Sequence, residues 1–176
     1  MYICIYFCKS LNTSLSSEGI ILSLLQEIAK IATDNNPSES LYRTSFLASR
    51  ILSSDIVEFV QTLLQPKCLN FLLDTLENPT PLTRIGSGYL IPIVKNLLSY
   101  NSTLVLHAFE TRHTVPKLLT HMSTYSIVDL FEPLLSVVAG TMQMDGLVHL
   151  LNASNVLTRL LITLRTTDDL YVCACL

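Results

Sequence analysis

The chain has 176 residues, of which 49% are hydrophobic and only 14% are charged, and its formal net charge at pH 7 is −3. This length suits a single domain with a sizeable core, or one stretch of a helical-repeat array, and it argues against two independent domains. A slightly acidic chain with so few charges has no global positive field, which excludes nucleic acid and anionic lipid as partners recruited by charge.

The apolar segments are too short or too interrupted to cross a membrane, because a spanning helix needs about 18 or more consecutive apolar residues. The apolar start "MYICIYFC" has no basic residue before it, which argues against a secretory signal peptide. The cysteines are odd in number and have no disulfide-framework spacing, which is typical of a reducing compartment: Cys4, Cys8, Cys68, Cys173 and Cys175. We therefore expect no membrane segment and a cytoplasmic protein, with the nucleus as a further location.

Apolar residues recur with a helical period along most of the chain, and no stretch alternates with period two for long enough to form a strand. Polar or proline-containing breaks separate these segments, as in "TDNNPSES" at 33–40 and "ENPTP" at 77–81. The pattern predicts about ten helices, at 18–33, 39–52, 55–64, 67–77, 81–99, 102–110, 113–122, 125–138, 144–151 and 154–164, with a last turn or two near 168–175.

Prolines mark both the starts and the interiors of these predicted helices. Pro66 and Pro81 stand at predicted first turns, where a missing N–H costs no hydrogen bond. Pro92 and Pro133 lie inside helical patterns, where each removes a hydrogen bond and should bend or end its helix.

The predicted helix at 125–138 has a clear inner face. Its apolar residues are three and four positions apart, so they share one side of the helix: Ile127, Leu130, Phe131, Leu134, Leu135 and Val138. Ser123 and Thr124 stand just before it as candidate N-caps, whose side-chain oxygens accept from otherwise unpaired backbone N–H groups.

Short apolar helices with short connections, mostly without a polar outer face, are typical of an α-solenoid in which each helix pair is buried between its neighbours. We therefore predict an all-α fold: an armadillo/HEAT-like α-solenoid of about ten short helices. No strict sequence period is visible, which argues against a regular tetratricopeptide or ankyrin array. A compact helical bundle is the structural alternative.

We find no pattern of a catalytic, metal or cofactor site in the sequence. The four histidines have no carboxylate or cysteine at ligand spacing. The segment "RIGSGYL" at 84–90 has two glycines but no following lysine, so we interpret its small residues as allowing close helix packing. Asp129 and Glu132 are three apart and could in principle act as an acid–base pair, but we interpret Asp129 as a solvated or first-turn carboxylate that complements the helix dipole. The prediction is a protein that is not an enzyme and holds no cofactor and no metal.

The segment "LLTHMSTYSIVDLFEPLL" at 118–135 resembles the most recognisable segment of the SAPS family, the regulatory subunits of the type-6 serine/threonine protein phosphatase. In that segment a helix ends in a histidine and an aliphatic residue, small capping residues follow, and an aliphatic helix carries an aspartate. The matching residues here are His121, Met122, Ser123, Thr124, Ile127, Val128, Asp129 and Leu130.

Neighbouring segments follow in the family's order. Those before it are "ILSSDIVEFVQTLL" (51–64), "CLNFLLDTLENPTPL" (68–82) and "LIPIVKNLLSYNSTLVL" (90–106). The one after it is "LVHLLNASNVLTRLL" (147–161), with His149, Leu151, Asn152, Val156, Leu157, Arg159 and Leu160 at matching positions. The resemblance covers about residues 40–165. We accordingly divide the chain into an unplaced N-terminal segment and first helix at 1–35 and a partial SAPS-like helical-repeat domain at 36–176.

The resemblance implies a helical scaffold without catalytic activity, which binds the type-6 phosphatase catalytic subunit and directs it to substrates and to ankyrin-repeat partner subunits. The chain departs from the family at Leu150, where a tryptophan is usual, and at Glu132 and Pro133, where the family has an aliphatic–basic pair. Two other hypotheses stay open: an α-solenoid adaptor for an unrelated partner, and a helical enzyme or small-ligand protein with a deep pocket.

As exposed candidates for partner contact we take polar residues in the connections and at helix ends: His121, Asp129, Asn152 and Arg159. Each also has a structural interpretation. His121 would close a helix, Asp129 and Asn152 would bond to nearby backbone, and Arg159 would be solvated.

The chain ends in "LYVCACL", which is apolar, whereas the terminal repeats of a solenoid need a polar outer face. We therefore expect the isolated chain to self-associate through uncapped ends. A monodisperse monomer in light scattering would contradict this expectation.

Overall fold

The computed structural model describes residues 16–121 and 124–140, and all regular structure in those ranges is helical. Its elements are α1 (Glu18–Thr33), α2 (Glu39–Leu52), α3 (Val57–Leu63), α4 (Pro66–Leu76), α5 (Arg84–Tyr100), α6 (Ser102–Arg112), α7 (Thr114–Leu118), a 3₁₀ turn (Leu119–His121) and α8 (Tyr125–Gly140). The helices predicted at 144–151 and 154–164, and the turn near 168–175, lie outside the described residues. No described helix is both long and apolar enough to span a membrane.

The all-α prediction is confirmed for the described ranges, and the succession of short helices is consistent with an α-solenoid. The bounds of α1 and α2 are those predicted from the sequence. Ser38 caps α2, because its side chain accepts from the N–H of Leu41 at 3.2 Å. Pro66 is the first residue of α4, as predicted.

Two predicted boundaries are wrong. Pro81 lies in a connection and not in a first turn, because α5 begins only at Arg84, where the Thr83 side chain accepts from the N–H of Gly86 at 3.0 Å. The helix predicted at 113–122 is instead a five-residue α7 followed by the 3₁₀ turn. His113, with φ of 53°, adopts the left-handed conformation that separates α6 from α7.

The prolines inside helices end neither of them. Pro92 lies within α5, which continues to Tyr100, and Pro133 lies within α8, which continues to Gly140. Thr124 lies directly before α8, where its carbonyl accepts from the N–H groups of Ile127 and Val128 at 3.0 and 3.4 Å. Ser123, the other candidate cap, lies outside the described residues.

Helices α1 and α5 form the centre of the core. α1 packs against α2, α3, α4 and α5, and α5 packs against α1, α2, α3, α6 and α8. One side of α1 is fully buried in these contacts: Ile21, Leu25, Ile28, Ile31 and Ala32. α1, which precedes the boundary that we placed at residue 35, therefore shares one core with the helices that follow it.

The backbones of α1 and α5 meet at a glycine. A Cβ atom built on Gly86 would lie 2.2 Å from the Cα atom of Ala32, so only glycine fits there. The backbone N–H of Thr83 donates to the carbonyl of Ala32 at 2.9 Å, and its hydroxyl donates to the carbonyl of Ile31 at 2.8 Å. The interpretation of "RIGSGYL" as a close-packing segment is therefore confirmed at Gly86.

The predicted inner face of α8 is largely confirmed. Helix α8 packs on α5 and buries Ile127, Leu130, Phe131 and Leu134. Leu135 is 45% exposed, so its predicted burial is wrong, and Val128 is buried although we did not predict it. The side chain of Val138 is not among those described.

Candidate functional site

Two of the four predicted contact residues, Asn152 and Arg159, lie outside the described residues. His121 ends the 3₁₀ turn and is only 2% exposed, so our expectation of an exposed side chain is wrong. Asp129 lies in the first turns of α8, and its carboxylate accepts from the Lys95 ammonium of α5 at 2.5 Å, not from nearby backbone. No described hydrogen bond joins His121 to Asp129.

The buried imidazole of His121 has an unusual environment. Neither ring nitrogen has a hydrogen-bond partner of good geometry in the described structure. Burial lowers the pKa of His121 from its ordinary value of 6.5, and the nearby backbone of Asn78 opposes that shift only in part. The side chain is therefore held neutral in the folded chain at pH 7.

We expect His121→Leu to stabilise the fold by about 1 kcal/mol, because it removes a buried imidazole whose nitrogens have no hydrogen-bond partner of good geometry. Unfolding exposes an imidazole of ordinary pKa, so the folded wild type binds fewer protons and loses stability as pH falls below about 6.5. The variant should lack this loss. Urea denaturation at pH 7.5 and at pH 5.5 measures both effects.

The exposed His107 of α6 provides a control, since His107→Leu should change stability by less than about 0.5 kcal/mol. A His121→Leu protein that is less stable than wild type would mean that the imidazole has a partner that stabilises it.

A cluster of charged side chains joins α4 to α6 and α7. The Glu77 carboxylate, just after α4, is only 6% exposed, and it accepts from Arg112 Nε at 3.1 Å, Thr114 Oγ1 at 2.6 Å and Lys117 Nζ at 2.6 Å. The Arg112 guanidinium also pairs with Asp74 and donates to Asn70 Oδ1 at 3.2 Å. Burial raises the pKa of Glu77, but the hydrogen bonds from these donors outweigh it and hold its pKa below the ordinary value. The opposite charges of the cluster pair with one another, so we interpret the cluster as a structural link between α4, α6 and α7.

The sequence patterns did not indicate the most distinctive exposed feature, the outer face of α2. Its large apolar side chains are between 37% and 59% exposed: Tyr42, Phe46, Leu47 and Ile51. The inner face is made mainly of small residues, Ser45, Ala48 and Ser49, which approach α1 and α5 closely. The Ser45 hydroxyl donates to the carbonyl of Glu27 at 2.9 Å, and that of Ser49 donates to the carbonyl of Tyr89 at 3.0 Å. A helical-wheel comparison of small and large residues in α2 would have found this face.

An open groove of about 580 Å³ lies beside this face, lined by Pro37, Glu39, Tyr42, Arg43, Phe46 and Tyr89. The rings of Phe46 and Tyr89 have their centroids 6.2 Å apart and stand at 61° to each other. Exposed apolar patches rimmed by polar groups mark interaction sites in soluble proteins. The groove has the chemistry of a protein-binding surface.

Among residues 16–121 and 124–140, no group of three histidine, cysteine or acidic side chains is placed to hold a metal ion. Cys68 is buried, and burial raises the pKa of its thiol to about 11. It is therefore protonated and a poor nucleophile at neutral pH. The described part of the chain thus combines a helical core with an exposed apolar face, an arrangement that suits a protein-interaction module.

Comparison with known proteins finds a distant relative. The chain is similar to serine/threonine-protein phosphatase 6 regulatory subunit 2 of Mus musculus, with 22% identity over 168 residues. The similarity covers 92% of this chain but only 18% of the length of that relative. No family model matches the chain, and no solved structure matches it. The finding supports a distant SAPS-like relative and makes a regulatory role plausible.

Proposed function

We propose that this chain is a non-catalytic regulatory scaffold that binds the catalytic subunit of a serine/threonine protein phosphatase and directs it to substrates. The observation that carries this proposal is the similarity to a phosphatase 6 regulatory subunit along 92% of the chain. Type-6 phosphatase is therefore the catalytic subunit that we propose, with ankyrin-repeat subunits as further partners. The cytoplasm, and also the nucleus, are the compartments that we propose for it.

The packing of α5 and α8 supports an armadillo/HEAT-like arrangement as part of this proposal. α8 begins 41 residues after α5 begins, and the two helices pack against each other. Armadillo and HEAT repeats have periods of about 40–47 residues. Repeats of this kind present extended surfaces to partners, which suits a scaffold.

A pull-down with the purified chain tests the proposal. We expect the immobilised chain to retain purified type-6 catalytic subunit, and the retained enzyme to dephosphorylate a phosphopeptide. The type-1 catalytic subunit is the matched control, and it should be retained far less. Circular dichroism of the immobilised preparation establishes that the chain is folded.

Failure of a folded chain to retain the type-6 subunit would contradict the proposal. That result would favour the other candidate, a helical adaptor for an unrelated partner, which the exposed face of α2 also supports.

A further inference from the structure

The outer face of α2 carries two arginines between its exposed apolar residues. Successive residues of an α-helix are about 100° apart, so Arg43 and Arg50, seven residues apart, point in nearly the same direction. The order around the helix is Tyr42, Phe46, Arg50, Arg43, Leu47 and Ile51. The guanidinium groups are therefore flanked by aromatic side chains on one side and aliphatic ones on the other.

The two arginines differ in their partners. Arg43 pairs with Glu39, one turn earlier on α2. Arg50 is exposed and has no ion pair within the described ranges. Arginine is enriched at protein interfaces, and its planar guanidinium matches a carboxylate in two parallel hydrogen bonds. A partner that covers the outer face of α2 must also cover Arg50, and the Arg50 charge would oppose binding if the partner supplied no opposite charge.

The groove beside the outer face of α2 indicates which other side chains the partner must supply. Its walls are the rings of Tyr42, Phe46 and Tyr89 together with Pro37 and the ion pair of Glu39 and Arg43, and its volume of about 580 Å³ has room for apolar side chains. Such side chains would remove Phe46, which lines the groove and is 49% exposed, from water.

We infer that the outer face of α2 binds an acidic, apolar surface of the phosphatase catalytic subunit, with apolar side chains in the groove and a carboxylate against Arg50. This inference rests on the proposed function and deepens it, because it names the contact surface and the chemistry of its partner. Aromatic residues and arginine are also the residue types that dominate binding energy at protein interfaces.

Affinity measurements on the full chain test this inference. Biolayer interferometry gives the Kd for purified type-6 catalytic subunit, and we expect Phe46→Ser and Arg50→Glu each to weaken binding by about tenfold or more. Arg50→Lys keeps the charge but loses the two-pronged geometry, so its affinity should be intermediate. Leu135→Ser, at a similarly exposed leucine of α8, and Lys67→Glu, at an exposed lysine of α4, are the matched controls and should change affinity by less than about twofold.

Salt provides an independent readout of the charge contact. Raising the ionic strength from about 0.1 M to about 1 M shortens the screening length from about 10 Å to about 3 Å, which should weaken wild-type binding. The Arg50→Glu variant should lose less affinity over the same range.

The outcomes separate this inference from the proposed function. Wild-type binding that survives Phe46→Ser and Arg50→Glu unchanged would overturn the inference and leave the proposed function standing. Absence of wild-type binding would overturn both. A wild-type dimer in sedimentation that Phe46→Ser dissociates would show that a second copy of the chain occupies this face, and would also overturn the inference. Circular dichroism of each variant checks that the variant is folded, so that a loss of binding is not mistaken for unfolding.

Discussion

We expect Gly86→Ala to lower the free energy of unfolding by about 3 kcal/mol, at the upper end of the usual cost of overpacking. The added methyl would lie 2.2 Å from the Cα atom and 2.9 Å from the Cβ atom of Ala32. The obstacle is backbone and not a flexible side chain, so α1 and α5 must move apart. Because these two helices contact most of the core, their separation would loosen packing beyond the site. Urea denaturation followed by circular dichroism measures the change.

Gly88, two residues further along α5, offers a matched control. A Cβ atom there would meet only the Ser126 hydroxyl at 3.8 Å, which is ordinary contact. Alanine in a helix interior is more stable than glycine by about 0.5–1 kcal/mol, so Gly88→Ala should stabilise the chain. Equal effects of the two substitutions would contradict the close contact of α1 with α5.

The second large effect is expected at Glu77. Glu77→Gln keeps the shape of the side chain but leaves Arg112 and Lys117 without their shared carboxylate. Removing one partner of a buried ion pair costs about 3–5 kcal/mol. The side chains of Arg112 and Lys117 are 26% and 45% exposed, so solvent compensates in part and we expect a loss of about 2 kcal/mol. Chemical denaturation at pH 7 measures this loss.

The same substitution should change the response to acid. The pKa of Glu77 is lowered in the folded chain, so its contribution to stability is complete above the ordinary value of 4.5 and is lost as pH falls through the lowered one. In the Glu77→Gln variant, the free energy of unfolding should therefore depend less on pH in that range.

The exposed pair of Glu39 and Arg43 is the control for this prediction. Glu39→Gln should cost less than about 0.5 kcal/mol, because exposed ion pairs contribute little. A Glu77→Gln variant with equally small effects would mean that solvent reaches the cluster freely.

Local sequence signals predicted most of the described helices. The bounds of α1 and α2 follow from the proline and polar residues between them, since capping and chain breaks act over a few residues. The sequence placed the end of α6 at residue 110, two residues before its end at Arg112, because the residue that ends it, His113, takes the left-handed conformation that glycine usually provides. Histidine is one of the residue types enriched in that conformation, so this signal was present although weak.

The contacts that define the candidate site depend on tertiary structure. Glu77 meets Arg112, Thr114 and Lys117 across 35 to 40 positions of sequence, and no local pattern specifies such a meeting. His121 was expected to be exposed because helix ends usually meet solvent, but packing near the α4–α5 connection at Asn78 covers it. The outer face of α2 was missed because apolar residues at helical spacing predict a buried face. In α2 the buried face is instead formed mainly by the small residues Ser45, Ala48 and Ser49.

The position of Thr83 has a consequence for the growing chain. The Thr83 side chain accepts from the N–H of Gly86 in the first turn of α5, and it also donates to the carbonyl of Ile31 near the end of α1, 52 residues earlier. A ribosome that adds about 5–20 residues per second needs about 3–10 s to make that intervening stretch. Until then the end of α1 is hydrated and its apolar side has no α5 to cover it. The docking of α1 on α5 must therefore wait until α5 has been made, so the part of α1 that faces α5 is a segment that chaperones can bind during synthesis.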